Sequence, residues 1–513
     1  MCQTVATSKL KAEANMPKSP PSSTTYTLAT LKAHSHPTTS QTSQILTAIH
    51  GHVIDLTHFA KNHPGGDLIF LAGGKDGTAL WETYHPACTP GTVNAKNMTR
   101  LLEKLTVGTL VDETAPDSFY SWESEFYPTL KKRACEALKA HNLPRRGGDK
   151  SIIIKAFALL TIFWAALYLM CTLDAFLPAL AAAVVMGASA SFIGTCIQHD
   201  GSHGAFATNP HINKAAGWTL DMIGASAFTW EIQHMLGHHP YTNLLDASGS
   251  ESLGDDVESD PDVFSSFPMM RMHPHHKRAW FHKWQHLYAP ALFSMMTILK
   301  VFTQDFQIIL TGHLYHIDAS SRYSSGYNRA RFWAMKVISM LYMFALPCYF
   351  QGFAKGTVLF FVGHLTCGEM LATMFIVNHV IEGVAFAKKN VLDAQPKPVT
   401  CKGGTPMEET QLAMKGDQKK KKKIPLNDWA AVQCQTSVNW SSSSVLWNHF
   451  SGGLNHQIEH HLFPSICHTN YPYLQQAVES TCKEFGVPYQ NEPTLYTAYW
   501  KMIAHLRWLG NTD

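Results

Sequence analysis

Four long apolar stretches constrain the fold of this chain more than any other feature of its sequence. They run over residues 152 to 171, 173 to 196, 332 to 350 and 357 to 377. Because about 20 helical residues span the hydrocarbon core of a bilayer, each stretch is long enough to cross a membrane. The connections within the two pairs, around Asp174 and over residues 351 to 356, are short. We therefore expect four transmembrane helices in two hairpins that open on the same side.

The distribution of charge predicts which side that is. Basic side chains precede both hairpins, whereas the short connections carry little charge. The basic residues are Arg145, Arg146, Lys150, Arg329 and Arg331. Since loops rich in Lys and Arg stay in the cytosol, both termini and all long loops are predicted to be cytosolic. Two weaker apolar stretches, 218 to 230 and 288 to 301, are too short or too interrupted to span and are predicted to be interfacial or re-entrant helices.

The composition points to metal rather than to nucleic acid. Histidine is over-represented at 29 residues, several of them in pairs, and imidazole is a common metal ligand. The 41 basic and 38 acidic side chains leave a formal charge of +3 without strongly basic clusters, so no nucleic-acid partner is expected. The 11 cysteines form no CxxC pair, which favours reduced thiols. A chain of 513 residues should form two or more domains.

A segment of soluble character over residues 26 to 110 holds two histidines suited to binding haem. His63 begins the sequence HPGGD, and His85 follows 22 residues later at the end of GTALWETYH. Two imidazoles from opposite walls of a pocket can supply the axial ligands of an electron-transferring haem. Gly65 and Gly66 let the backbone turn tightly there, although HPGG alone is also an ordinary turn sequence. With the preceding IHGHVIDLTHFAKN, the segment resembles cytochrome b5, which implies haem b with His63 and His85 as axial ligands.

Three histidine clusters lie just beyond apolar segments on the predicted cytosolic side. They are HDGSH with His199 and His203, HMLGHH with His234, His238 and His239, and HQIEHH with His456, Gln457, His460 and His461. In the first two clusters, histidines four residues apart should leave the same face of a helix. One such pair is common on ordinary helix surfaces, but three clusters together predict a metal centre. We call the clusters boxes 1, 2 and 3.

The number of imidazoles predicts two metal ions. Seven or eight exceed the four ligands of one zinc ion. Nitrogen-rich ligation with open positions suits iron that activates dioxygen, although ligand type alone leaves zinc and copper open. The neighbouring haem segment favours iron, because a one-electron donor is of no use to a redox-inert zinc hydrolase. Other histidine pairs, His275 with His276 and His282 with His286, are expected to be interfacial surface residues rather than ligands.

The boxes and their surroundings resemble those of front-end fatty acid desaturases. The resemblance runs over residues 26 to 510 and is carried by WEIQHMLGHHPYTN and GGLNHQIEHHLFP, with Gln457 where other membrane desaturases have the first histidine of their third box. It implies a di-iron centre, and the ligand set that it implies is His199, His203, His234, His238, His239, Gln457, His460 and His461. Asn378 and His379, after the last apolar stretch, and His456 are further candidates, either as ligands or as residues that support ligands.

The resemblance and the hydropathy pattern together predict a multi-domain chain. An α+β cytochrome b5-like domain precedes an all-α membrane domain whose cytosolic helical cap carries the three boxes. The predicted divisions are a disordered leader (1–25), the haem domain (26–111), a linker with an amphipathic segment (112–148), the membrane core with boxes 1 and 2 (149–390), a polar Lys-rich insert (391–425) and a C-terminal cytosolic part with box 3 (426–513). The run Lys419 to Lys423 is expected to be a solvated loop.

The implied function is front-end desaturation of a long polyunsaturated acyl chain. TCIQHDGSHGAFA, GWTLDMIGAS and QTSVNWSSSSVLWNHFSGG look most like microalgal and protist Δ4 desaturases, which favours the conversion of docosapentaenoic to docosahexaenoic acid. Expected partners are NADH-cytochrome b5 reductase, membrane lipid and an acyl substrate on coenzyme A or a glycerolipid. The endoplasmic reticulum is the expected membrane, ahead of a plastid. Alternatives are Δ5 or Δ6 desaturation, a sphingolipid Δ8 desaturase or acyl hydroxylase, and a membrane-anchored b5 electron carrier that is not an enzyme.

Overall fold

The computed structural model describes residues 24–35, 44–63, 65–85, 93–111, 120–245, 260–314, 317–319, 326–388, 424–425 and 427–512. Nearly all of the predicted leader lies outside these residues. The run Lys419 to Lys423 and nearly all of the predicted insert around it also lie outside them.

The N-terminal part is a small α+β unit built around one sheet. Its strands are β1 (Thr25–Tyr26), β2 (Leu46–Ile49), β3 (His52–Asp55) and β4 (Thr106–Leu110), in the order β1-β4-β3-β2. Its helical segments are Leu28–Lys32, Ala60–Asn62, Gly66–Ala72, Thr78–Tyr84 and Val93–Leu105. Ile54 and Leu102 form part of its buried core, against which Phe70 and Trp81 pack. Each haem-ligand candidate directly follows a helical segment of this unit. His63 follows Ala60–Asn62, and His85 follows Thr78–Tyr84.

Four helices are long and apolar enough to cross a membrane, as predicted. Span 1 is Lys150–Thr172, span 2 is Phe176–Ser202, span 3 is Gly326–Gln351 and span 4 is Phe353–Ile376. Residues 173 to 175 join the first pair, and Gly352 alone joins the second, which confirms two hairpins. Span 4 begins earlier than the predicted residue 357 because Gly352 turns the chain within one residue at a φ of 78°. Span 2 also runs past the predicted residue 196, through a π-helical turn at Gly194–Gln198.

Small residues set the distance between spans 2 and 4. A Cβ at Gly187 would lie 2.2 Å from the carbonyl oxygen of Gly363, so only glycine allows this approach. The two helices that end nearest the histidine boxes therefore pack closely along their length.

The two weaker apolar stretches form short, broken helices. The first contains Thr219–Met222 and Ala227–Trp230, and the second lies within Gln285–Ser294, Met296–Leu299, the π-helical Lys300–Gln304 and Asp305–Thr311. Thr297 donates a hydrogen bond to the carbonyl of His364, halfway along span 4. The second stretch therefore reaches the depth of a spanning helix, which agrees with the re-entrant alternative.

The remaining α-helices form a cap at the ends of the spans where the boxes lie. They are Phe126–Ala140, Pro210–Gly217, Trp429–Gln435, Val445–Ser451, Gln457–Leu462, Tyr471–Phe485 and Leu495–Asn511. Two-residue strands pair within the cap: Leu244–Leu245 with Ala387–Lys388, His313–Leu314 with Ile317–Asp318, and Asn439–Trp440 with Asn491–Glu492. Phe126, Trp429, Ile458 and Leu474 belong to one buried core, which ties the helix after the haem unit to box 3. The predicted fold class is confirmed.

Candidate metal and haem sites

Two groups of histidines meet where spans 2 and 4 end. Site 1 comprises His199, His203, His234, His239 and His460, and site 2 comprises His238, His379 and His461. All are buried, and within each site the ligand nitrogens lie within 4.8 Å of one another. The sites are adjacent, because the ring centroids of His239 and His461 are 4.6 Å apart. The structure thus brings together every histidine of the implied ligand set, and His379 with them.

The backbone of box 2 divides its histidines between the sites. Glu231–His238 is π-helical, with hydrogen bonds from residue i to i+5. His234 and His239, five residues apart, therefore both point into site 1, whereas His238 joins site 2. The rings of His234 and His238 still lie side by side, with centroids 5.1 Å apart and Asp262 next to both, so the spacing of four does keep them near one helix face although they contribute to different sites. In box 3 the adjacent residues His460 and His461 diverge to the two sites in the same way.

Several imidazoles are oriented through Nδ1 by a group outside the sites. The pairs are His234 with Asp262 at 2.6 Å, His238 with Asp260 at 2.8 Å, His460 with Tyr471 at 2.9 Å and His461 with Gln433 at 3.0 Å. Asp260 is itself fixed by the backbone N–H groups of Asn243 and Val263. Such contacts turn Nε2 towards the site and set the tautomer that binds metal.

The donor atoms of the two sites fit metal cations. Among the described residues, both ring nitrogens of His199 and His203 and Nε2 of His238 and His460 are buried without a hydrogen-bond partner. Buried polar atoms are rarely left so. Burial lowers the pKa of His203 and His460 well below the ordinary value, so these imidazoles are neutral, the form that binds metal. Nitrogen-only donors in a closed, adjacent pair of sites match the predicted pair of metal ions.

Burial and charge act in opposite directions on His238. Burial lowers its pKa, but the carboxylates of Asp260 and Asp262 together outweigh burial and raise it. A carboxylate held against Nδ1 makes the imidazole a stronger donor at Nε2. The Asp260 carboxylate therefore orients His238 with Nε2 towards site 2.

Gln457 of the implied ligand set and the further candidates Asn378 and His456 lie in different positions. The side-chain amide of Gln457 is 2.9 Å from Nε2 of His379 and 3.0 Å from Nε2 of His461, so it faces site 2. The amide of Asn378 is already bound, donating to Gln457 and accepting from Trp440, which suits a supporting role. His456 is buried but belongs to neither site.

A third cluster, Asp200 with Cys467 and His468, is a hydrogen-bond network. Nδ1 of His468 donates to Asp200 at 2.7 Å, and Nε2 of His468 lies 2.6 Å from the Lys155 ammonium. The Cys467 thiol also donates to Asp200. With its polar atoms satisfied, the cluster ties box 1 to the segment after box 3.

The histidine pairs set aside as surface residues are not all exposed. His275 is exposed, but His282 is buried, accepting from the Ala279 N–H and donating to the Pro268 carbonyl. The prediction of a surface position for His282 is wrong because a local turn folds the ring back onto the chain. None of the four belongs to either site, as expected.

The haem-ligand candidates face each other across the N-terminal unit. The ring centroids of His63 and His85 are 6.2 Å apart, a separation that leaves space for one iron between two imidazoles. Nδ1 of His85 donates to the carbonyl of Trp81, which leaves Nε2 free for metal. A Cβ at Gly65 would lie 2.8 Å from Cε1 of His63, so glycine is required beside this ring. Burial lowers the pKa of both imidazoles, that of His85 to about 4.

Two family descriptions match this chain: "Fatty acid desaturase" over residues 174–493 and "Cytochrome b5-like Heme/Steroid binding domain" over residues 27–111. The chain belongs to the fatty acid desaturase family. The desaturase match includes all three boxes, and the second match includes His63 and His85. An oxidoreductase with haem b and a non-haem di-iron centre, as predicted, is confirmed at this level, and the alternative of an electron carrier without enzymatic activity is wrong.

Named relatives share the whole architecture of this desaturase. An "Acyl-lipid (8-3)-desaturase" of Physcomitrium patens is 32% identical over 500 residues, covering 95% of this chain and 92% of the relative. An "Acyl-lipid (8-3)-desaturase" of Mortierella alpina is 30% identical, covering 95% and 97%. An "Acyl-lipid (7-3)-desaturase, chloroplastic" of Chlamydomonas reinhardtii is 32% identical, covering 90% and 80%. The chain is therefore a front-end acyl-lipid desaturase fused to its electron-transfer domain.

Sequence patterns missed the groups that hold the ligands. Asp260 and Asp262 lie in the stretch SDPDV, about 20 residues after box 2, where no spacing rule connects them to it. Tyr471 and Gln433 come from two further helices. Several further carboxylates precede these two in the sequence, so nothing in the local pattern distinguished Asp260 and Asp262.

Proposed function

We propose that this desaturase inserts a cis double bond at Δ4 of a long polyunsaturated acyl chain, with docosapentaenoic acid as substrate and docosahexaenoic acid as product. The proposed iron ligands are the histidines of sites 1 and 2 together with Gln457, and the proposed axial haem ligands are His63 and His85. The proposed domain divisions are those predicted from the sequence.

The observation that carries the oxidative part of the proposal is the convergence of the two histidine sites beneath the haem unit. A bound pair of irons supplies the dioxygen-dependent removal of hydrogen from unactivated methylene groups, which no side chain performs. The chain's own residues hold this centre. Asp260 and Asp262 fix the tautomers of two ligands, and full burial of the imidazoles excludes bulk water from the site.

An apolar cavity supports access of an acyl chain from the membrane. A cavity of about 400 Å³ is lined by Phe192, Met370, Thr373, Met374, Trp447 and Phe450, with Glu369, Leu446 and Leu495. It lies between spans 2 and 4 and the helix Val445–Ser451. Met374 precedes Phe375, whose ring packs against His238 and His379. An acyl chain in this cavity would approach site 2 without crossing water.

The Δ4 position rests on the sequence stretches around boxes 1 and 3. Relatives of similar identity carry different names, (8-3) in Physcomitrium patens and (7-3) in Chlamydomonas reinhardtii, so overall identity does not choose the position. A second candidate is Δ5 desaturation, favoured by a "Delta(5) fatty acid desaturase A" of Dictyostelium discoideum that is 30% identical over 473 residues. Δ6 and sphingolipid Δ8 desaturation remain alternatives.

Feeding single fatty acids to yeast that express the full chain tests the position. Each culture receives one acid, and the new double bond is mapped by mass spectrometry, with a variant carrying H460A and H461A as the control. The proposal predicts docosahexaenoic acid from docosapentaenoic acid, and no new product from the 20-carbon substrates of Δ5 enzymes or the 18-carbon substrates of Δ6 enzymes. New double bonds only at Δ5, Δ6 or Δ8 would overturn it.

The proposed electron source is NADH-cytochrome b5 reductase, which suits a haem of this type. The proposed location is the endoplasmic reticulum, with sites and termini in the cytosol, supported by the basic residues that precede each hairpin. Protease protection of epitope-tagged termini in sealed microsomes tests this orientation. Cleavage of both tags without detergent agrees with it, and protection of either tag contradicts it.

A further inference from the structure

The two segments that carry the haem-ligand candidates both pack on box 2. The helical segment Gly66–Ala72 begins just after His63, and its Leu71 and Leu68 join a buried apolar cluster with Ile232 and Leu236 of the box 2 helix. The helix Thr78–Tyr84 ends immediately before His85. The edge of the N-terminal unit that holds the candidate axial ligands therefore faces the histidine sites.

Tyr84 is the residue that crosses this contact. Its hydroxyl donates a hydrogen bond to the carbonyl of Met235 at 2.5 Å, and Met235 follows His234 in the box 2 helix. Its ring stacks near that of His203, with centroids 6.2 Å apart and an interplanar angle of 21°. The centroid of His239 lies 6.5 Å away. Tyr84 thus touches the backbone of box 2 and stands beside two rings of site 1.

On its other side, Tyr84 is joined by a single peptide bond to His85. The ring of Trp81, one turn earlier in the same helix, stacks on His85 with centroids 4.2 Å apart. Tyr84 alone therefore connects the proposed haem ligand His85 with two proposed ligands of site 1, His203 and His239. Packed and hydrogen-bonded chains of this kind carry coupling between sites better than solvent-filled gaps.

We propose that Tyr84 is a positioning residue for electron transfer, which holds His85 against site 1 so that the haem can reduce the metal centre directly. With haem held by His63 and His85 and iron held by site 1, each transfer would move one electron, so that a ferrous haem would become ferric as one ferric ion of the centre became ferrous. Tyr84 keeps its proton throughout, since its hydroxyl remains the donor to Met235. The proposal rests on the proposed ligand roles of His85, His203 and His239.

A nearby tyrosine provides a matched control. The Tyr127 hydroxyl also donates to a backbone carbonyl across the same pair of units, that of Glu82 at 3.0 Å. Its ring packs against Trp429 and the Lys131 ammonium. Y84F and Y127F therefore remove the same atoms and the same kind of hydrogen bond, but only Y84F lies on the proposed path.

Flash photoreduction of the haem measures the transfer without turnover. The purified full chain, with ferric haem and ferric non-haem iron and without oxygen or lipid substrate, is reduced at the haem by a photo-excited flavin. Return of the haem absorbance to its ferric value then reports electron loss to the metal centre. The variant with H460A and H461A, which lacks the acceptor, gives the background.

We expect haem re-oxidation to slow by about fivefold in Y84F, because one hydrogen bond that holds the contact is lost. In Y84L, where the ring is also lost and a void is left, we expect a decrease of at least about twentyfold. Y127F should stay within about twofold of the unsubstituted chain. The haem spectrum, midpoint potential and iron content should be unchanged in all three, and amide exchange over residues 231 to 241 should rise in Y84F and Y84L.

Re-oxidation in Y84L within about twofold of the unsubstituted chain would overturn the proposal, as would equal slowing in Y84F and Y127F. If Y84L loses its haem, the comparison of Y84F with Y127F decides. If haem re-oxidation in the unsubstituted chain is no faster than in the variant with H460A and H461A, both the ligand roles and the proposed path are overturned. A product with its double bond at another position would affect the Δ4 proposal alone.

Discussion

Nδ1 of His238 lies 2.8 Å from the carboxylate of Asp260, and neither side chain is exposed. Asp260 also accepts hydrogen bonds from the backbone N–H groups of Asn243 and Val263, so the carboxylate is fixed before any metal binds. A charge buried in this way stabilises a protein only while its partners are in place. Asp260 is therefore part of the structure of site 2, although it is not one of the proposed ligands.

Substitution D260N should weaken iron binding while keeping the shape of the side chain. Loss of an outer carboxylate typically lowers metal affinity by about 10-fold to 100-fold. The measurement is non-haem iron per haem after purification and dialysis against a weak chelator. Asp174, exposed in the connection between spans 1 and 2, supplies the control D174N. Equal iron content in the two variants would contradict the role of Asp260.

Substitution of His460 should remove one ligand from site 1, and substitution of His461 should remove one ligand from site 2. H460A acts on site 1 and H461A on site 2, so each should lower non-haem iron and abolish new double bonds. The absorbance of the reduced haem should stay as it is, because the haem ligands lie in another unit. H211A, at an exposed histidine, is the control. Product formation in either variant at the unsubstituted level would count against the ligand set.

Substitution G65A should lower haem occupancy. The new Cβ would meet Cε1 of His63 at 2.8 Å, so the ring must rotate or the backbone must shift. Overpacking of this kind costs about 1–3 kcal/mol, which is about a 5-fold to 150-fold loss in haem affinity if His63 is an axial ligand. Haem titration of the purified chain measures it. K61A, exposed on the same surface, should bind haem normally.

The Glu82 carboxylate should make the N-terminal unit sensitive to acid. Burial raises its pKa, but the ammonium of Lys131 and the ring of His50 outweigh burial and lower it to about 2, from an ordinary value of 4.5. Stability from a lowered pKa is complete above the unfolded value and is lost as pH falls towards the folded value. The difference corresponds to at most about 3 kcal/mol.

Thermal unfolding followed at the haem band checks this. E82Q should unfold at a lower temperature than the unsubstituted chain at pH 7, with a difference that is constant down to about pH 5 and shrinks below about pH 4.5. E136Q, which removes an exposed pair with Lys132, should show no difference. If the difference in unfolding temperature between E82Q and the unsubstituted chain grows on acidification, the stabilising role of the Glu82 carboxylate is contradicted.

Much of the fold followed from the sequence because its signals are local. A largely apolar stretch of about 20 residues, or HPGG followed by a second histidine, can be recognised within a single segment of the sequence. The box histidines of sites 1 and 2 were identified for the same reason, since each box is short and dense, whereas His379 lies outside the boxes. Gly352 shows the limit: the connection was expected to need six residues, but a left-handed φ lets one residue make the turn.

What the sequence did not predict depends on distant contacts. His234 contributes to site 1 and His238 to site 2 because box 2 is π-helical. The spacing of its histidines does not predict this type of helix. Asp260, Tyr471 and Tyr84 act through contacts with residues between 11 and 151 positions away. His282 was expected at the surface because its neighbours are amphipathic, whereas one buried turn decides its position.

The most direct test of the account is the metal content of the active, purified chain. Iron measured by mass spectrometry, with haem counted separately by its absorbance, should give two non-haem irons for each haem. In the variant with H460A and H461A, the non-haem iron should disappear while the haem remains. An active chain that holds no iron beyond its haem would contradict the account.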